Sequence, residues 1–148
     1  TASLLMLVTA GLMNGAYGIP PSQNIAPAVQ AAKHAGATGH VLNSFNLGAS
    51  MISLGVPVFI DGRADLYGDE HLRVYFDLMD SNDAQHIKKT LNDHAINWTV
   101  LLPKSSLLLF LNMDPEWVRV YADESAVVHL RMTRDVKHDK DQISPLLQ

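Results

Sequence analysis

The chain of 148 residues contains no cysteine. Disulfide scaffolds, thiol nucleophiles, iron–sulfur clusters and cysteine-type zinc sites are therefore excluded. Basic charge is also scarce: 11 Lys and Arg stand against 15 Asp and Glu, a formal net charge of −4. A sequence-independent nucleic-acid binder needs a basic surface to displace counterions, so nucleic acid is not an expected partner. Aromatic residues make up only 7%. The sharpest absence is local. Residues 1 to 32 contain no Asp, Glu, Lys or Arg, and the first charge is Lys33.

Several catalytic and cofactor signatures are missing as well. The turn Phe45-Asn46-Leu47-Gly48-Ala49-Ser50 has one glycine and lacks the GxGxxG fingerprint of a dinucleotide site, and no GxxxxGK[ST] phosphate loop occurs. No serine stands in a GxSxG elbow. The seven histidines, His34, His40, His71, His86, His94, His129 and His138, include no HExxH pair. They read as solvated or capping residues, with a metal site assembled from distant histidines as the alternative. No cofactor is expected.

What is present is enough for one folded domain, since 47% of the residues are hydrophobic. Ser3 to Met13 reads SLLMLVTAGLM and is almost wholly apolar. A membrane span takes about 20 apolar residues. Together with the charge-free start and a first residue other than Met, the run reads as the end of a truncated span. A buried helix or an apolar arm is the other reading. With no Lys or Arg before Lys33, the positive-inside tendency puts the rest of the chain on the extracytoplasmic side. The chain then divides into an arm over 1–19, an α/β body over 20–132 and a charged tail over 133–148.

Within the body, helices and strands alternate. Gly18-Ile19-Pro20-Pro21-Ser22 is a linker. Ser22 or Asn24 can cap a helix with Pro27 in its first turn and Ile25, Val29 and Ala32 on one face. His40 to Phe45 suits a short strand and Asn46 to Leu54 a short helix. Pro57 to Asp61 is the clearest apolar run and predicts a buried strand ended by Asp-Gly. Leu72, Tyr75, Phe76 and Met79 share helical spacing, so Asp69 to Met79 reads as an amphipathic helix. Asp80 to Asp83 breaks it and caps the next helix, whose inner face is Ala84, Ile87, Leu91 and Ala95. Trp98 to Leu102 is a further strand. Ser105 or Ser106 caps a short helix to Leu111, and Val118–Ala122 with Ala126–Met132 forms a hairpin. Both tryptophans, Trp98 and Trp117, read as core. The expectation is an α/β fold with a mostly parallel sheet of about five strands. Helices cover both faces, and the antiparallel C-terminal hairpin completes a Rossmann-like arrangement without its fingerprint.

The residues richest in chemistry come after the Pro57–Asp61 run. Asp61-Gly62-Arg63-Ala64-Asp65-Leu66-Tyr67-Gly68-Asp69-Glu70 packs four acids, an arginine and a tyrosine into one short stretch. The spacing is not that of a calcium loop. Ligands of open α/β sheets bind beyond the carboxyl ends of strands, where Asp61 would sit. Arg63 can fork onto a phosphate or carboxylate, and Tyr67 can stack on a sugar ring. Asp61, Arg63, Asp65 and Tyr67 are therefore the candidate ligand-binding residues. The same residue types also serve as an internal pair, Arg63 with Asp61 or Asp65, and as helix caps.

Gly39-His40-Val41-Leu42-Asn43-Ser44-Phe45, Gly48 and the run Pro57 to Gly68 resemble the C-terminal soluble domain of certain bacterial polytopic membrane proteins. These are similar to GT-C-class glycosyltransferases, which use lipid-linked sugars. The resemblance continues through Ile96–Pro103 and Trp117–Val128 and spans roughly residues 21–132. It implies a domain that comes after the last membrane helix on the extracytoplasmic side. It further implies that catalysis resides in the membrane part, so this chain alone is not catalytic. The implied partners are the membrane domain of the same parent chain and a lipid-linked sugar or its acceptor, whose site the domain would shape. The family's aromatic Gly-Gly element after the first strand is replaced here by Phe45–Ser50, where only Phe45 and Gly48 match.

Overall fold

The computed structural model describes residues 24–132. The arm over 1–19, the Ser22 cap and the tail over 133–148 lie outside the described residues. Helix α1 (Ala26–His34) opens the fold. Asn24 Oδ1 accepts the Ala26 N–H at 3.1 Å, and Pro27 stands in the first turn, where a missing N–H breaks no helical bond. Its inner face, Ile25, Ala28, Val29 and Ala32, is buried as the spacing predicts. Strand β1 (His40–Asn43) comes next, then a 3₁₀ turn (Phe45–Leu47) running into α2 (Gly48–Ser53).

After a second 3₁₀ turn (Ala64–Leu66) come α3 (Gly68–Asp80) and α4 (Ala84–Asp93). Asp83 caps α4 by accepting the Gln85 N–H at 2.8 Å and the His86 N–H at 3.3 Å. Strand β2 (Ile96–Leu101), α5 (Leu107–Met113) and the hairpin β3 (Trp117–Ala122) and β4 (Val127–Arg131) complete the body.

The sheet has four strands in the order β1-β2-β4-β3. Only β1 and β2 run parallel; β2–β4 and β4–β3 are antiparallel. The expected mostly parallel, five-stranded sheet is thus corrected to a mixed sheet of four. The missing strand is Pro57–Asp61, which forms no ladder. Its backbone groups are taken by a side chain. Asn43 Oδ1 accepts the N–H groups of Phe59 (2.9 Å) and Ile60 (3.3 Å), and Asn43 Nδ2 donates to Ile60 O (2.8 Å). Pro57 has no N–H to offer. Only its end, Ile60 and Asp61, is fully buried, and the segment is held at one point rather than along its length.

Helices cover both faces. Period-two alternation along the strands sends Val41, Trp98, Val100 and Val128 into one core with α1 and α2. Leu42, Leu101 and Val127 enter a second core with α3, α4 and α5. Three details depart from the sequence spacing. In α3, Tyr75 and Leu78 are buried and Leu72 and Met79 pack at the margin, whereas Phe76 is 51% exposed because it flanks the face that meets the core. In α4, Ile87, Thr90 and Leu91 face inward, Ala84 stays exposed at its start, and Ala95, expected on the inner face, lies exposed beyond its end. Ser106 precedes α5 but does not cap it with its side chain; its hydroxyl donates to Met79 O at 2.7 Å and ties α5 to the end of α3.

Candidate functional site

The site builds on the pinned segment. Gly48 opens α2 directly against it: a β-carbon there would lie 2.7 Å from the Asp61 Cα. Asn43 and Gly48 together fix the position of Ile60 and Asp61. Asp61 emerges only 2% exposed, and its carboxylate is met by Arg63 from several directions. The Arg63 backbone N–H donates to Oδ1 at 2.8 Å. Arg63 Nε donates to Oδ1 at 3.0 Å and Oδ2 at 3.1 Å, and Nη2 donates to Oδ2 at 2.6 Å. These bonds hold the Asp61 carboxyl well below the usual carboxylate range, against the opposing effect of burial, and they raise Arg63 further. Asp61 is consequently ionised and fully engaged, and it is unsuited to exchanging protons near neutrality.

Arg63 itself is 62% exposed. The carboxylate behind it fixes the guanidinium plane while its outer edge faces solvent. That arrangement suits an anion, since an oriented planar fork loses less freedom on binding than a free one. Tyr67 lies beside the pair: burial raises its hydroxyl pKa, and the neighbouring Asp61 carboxylate raises it further. Gly68 then turns the chain at φ +74°, a left-handed conformation that suits glycine, as α3 begins. Asp65 stands apart. It is exposed in the 3₁₀ turn and makes no hydrogen bond or ion pair among the described residues. Of the four expected site residues the structure therefore assembles Asp61, Arg63 and Tyr67 and leaves Asp65 outside.

A histidine joins them. His71 is half-buried rather than solvated. Its Nε2–H donates to Phe59 O at 2.7 Å, and its ring stacks on Phe59 at 4.4 Å and on Tyr67 at 5.2 Å. His94 meets the edge of Phe59 at 5.4 Å, and His40 Nδ1 lies 3.1 Å from His94 O. These contacts make a row, Tyr67–His71–Phe59–His94, and its Phe59–His94 end lines a cleft of about 520 Å³ that also includes His40, Pro57 and Asp93. Sequence reasoning missed this row. Its one legible signal was Tyr67 and His71 at i and i+4, which share a helix face. Among the described residues no group of three His, Asp or Glu side chains is placed to hold a metal ion.

His129 is a second histidine that is not solvated. It is fully buried, and burial, followed by the charge of Arg119, pushes its pKa down to about 4. Both tryptophans are core residues, as expected. No protein family, curated protein or solved structure matches the chain. Among the described residues no helix is long and apolar enough to cross a membrane.

Proposed function

We propose that this chain is a non-catalytic, extracytoplasmic domain of a glycosyltransferase-like integral membrane protein, with the Asp61–Arg63–Tyr67 surface helping to shape the site for a lipid-linked sugar or its acceptor. The observation that carries the reading is the charge-free stretch of residues 1 to 32, which holds the apolar run Ser3–Met13 and reaches into the first core helix. A folded body that follows an apolar, charge-free arm fits a domain held at a membrane surface. The family resemblance of the Pro57–Gly68 run supports the same reading. The site fits the role too: Asp61 is committed to orienting Arg63, so the surface is organised to contact an anion such as a lipid phosphate rather than to move protons.

Co-sedimentation with phosphatidylcholine vesicles tests the reading. The full chain is expected in the pellet and residues 20–148 in the supernatant. Equal distribution of the two chains would refute membrane attachment through the arm. The exposed guanidinium favours one other reading, a free-standing α/β protein that binds an anionic metabolite at Arg63. In that case the arm would pack into the core and its removal would unfold the domain.

A further inference from the structure

A different cleft lies at the carboxyl ends of β1 and β2, the parallel pair. Its walls are the turns that leave those strands, around Ser44–Asn46 and Leu102–Ser106, and the last turn of α3. Parallel strands place ligands at that end because their outgoing loops converge there. The cleft measures about 370 Å³, within the range of about 300–1,000 Å³ common for small-molecule sites.

Both charged groups in it are unspent. Asp80 and Lys104 both line the cleft, and neither has an ion-pair partner among the described residues. The Ser105 hydroxyl is shielded from solvent and has no hydrogen-bond partner there. Tyr75 accepts the Phe45 N–H at 2.8 Å, which leaves its own hydroxyl proton to donate. Burial raises the Tyr75 pKa, and the charge of Asp80 adds to that, so the proton stays on. The remaining wall is apolar and partly buried: Phe45, Met79 and Leu102.

We propose that this cleft binds a small zwitterion with an apolar side chain, of the α-amino-acid class. Lys104 takes the carboxylate, Asp80 takes the ammonium, and Phe45, Met79 and Leu102 receive the side chain. Opposite unpaired charges on one cleft select a ligand carrying both signs. Inorganic phosphate would be repelled by Asp80, and a neutral sugar would neutralise neither charge.

The test is a titration of the full chain with L-leucine, monitored by backbone amide NMR. Leucine is expected to shift the amides of residues 44–46, 79–80, 102 and 104–106 saturably. Leucinamide, which lacks the carboxylate, and N-acetyl-leucine, which lacks the ammonium, should each bind at least about tenfold more weakly. Lys104→Met and Asp80→Asn, both at exposed positions, should abolish the shifts and leave the rest of the spectrum unchanged. Absence of saturable shifts at about 20 mM leucine would overturn the proposal. So would equal binding of the capped analogues, or glucose or phosphate binding in the cleft as well as leucine does. The analogue comparison on the unmodified chain stands even if a variant fails to fold.

Discussion

Thr99 and His129 face one another across the β2–β4 ladder, both completely buried. The Thr99 Oγ1 and the His129 Nδ1 each lack a hydrogen-bond partner among the described residues. On its other side, His129 Nε2 lies 2.9 Å from Asn112 Oδ1. An amide oxygen only accepts, so Nε2 carries the proton and Nδ1 is the acceptor, a neutral ring in a single tautomer.

That arrangement predicts an acid-sensitive fold. Burial lowers the His129 pKa from 6.5 to about 4. The unfolded chain therefore binds a proton that the folded chain does not between those values. Stability is full above pH 6.5, falls as the pH drops, and the loss is complete below about 4. It amounts to roughly 3 kcal/mol at about 1.4 kcal/mol per pH unit. Urea unfolding at pH 7 and pH 4.5 should show the drop, and His129→Gln should flatten it. A pH-independent midpoint in the parent chain would contradict the buried neutral ring.

Glu116 adds a second, smaller dependence at lower pH. It accepts from Lys88 Nζ at 2.9 Å and Arg131 Nη2 at 2.8 Å, joining α4 to β4. Hydrogen bonds from Arg131, then Lys88, hold its carboxyl down to about 2. Its contribution is present above pH 4.5 and disappears as the pH falls toward 2. The side chain is 37% exposed, so solvent screening limits the effect to about 1 kcal/mol. Glu116→Gln should cost that much at pH 7 and much less near pH 2.5.

Asn43 should be among the least replaceable polar residues. Asn43→Ala removes its bonds to the backbone of Phe59, Ile60 and Ser44. It leaves buried groups unsatisfied, so a loss of about 3 kcal/mol is expected. Hydrogen exchange should accelerate at the Phe59 and Ile60 amides before it does so in β2. Unchanged protection there would mean that the segment is held by other contacts.

Gly48→Ala tests the same junction sterically. The added methyl group would press on the backbone of Ile60 and Asp61, and overpacking of this kind costs about 1–3 kcal/mol. A variant as stable as the parent chain would show that the α2 start can move away from Asp61.

Much of this fold was legible in the sequence. The α1 face, the Asp83 cap, strand β2 and the hairpin all come from local spacing and capping chemistry. The Pro57–Asp61 segment did not, because an apolar run reads the same whether a neighbouring strand or one buried asparagine holds its backbone. The decisive residue, Asn43, lies 16 positions before Phe59, beyond any local pattern. Asp61 and Arg63 could be singled out because a carboxylate and a guanidinium two residues apart can meet through a short turn. The His71 stack could not be read, since it depends on Phe59 being brought against α3.

Arg63→Ala separates the two roles of the site pair. It leaves the buried Asp61 carboxylate without its guanidinium, so the Asp61 pKa should rise toward the ordinary range and the melting temperature should fall. Adding Asp61→Asn should recover part of the loss, because the charge that needed a partner is then gone. Additive losses in the double variant would mean that the two residues do not act as a pair.

Thermal unfolding of residues 20–148 beside the full chain, without detergent, is the most direct test of the membrane-attached reading. The account predicts that the shorter chain is soluble and melts cooperatively at a similar temperature, since the core helix α1 begins at Ala26, beyond the arm. Loss of the cooperative transition on removing the arm would place the apolar run in the core and contradict the account.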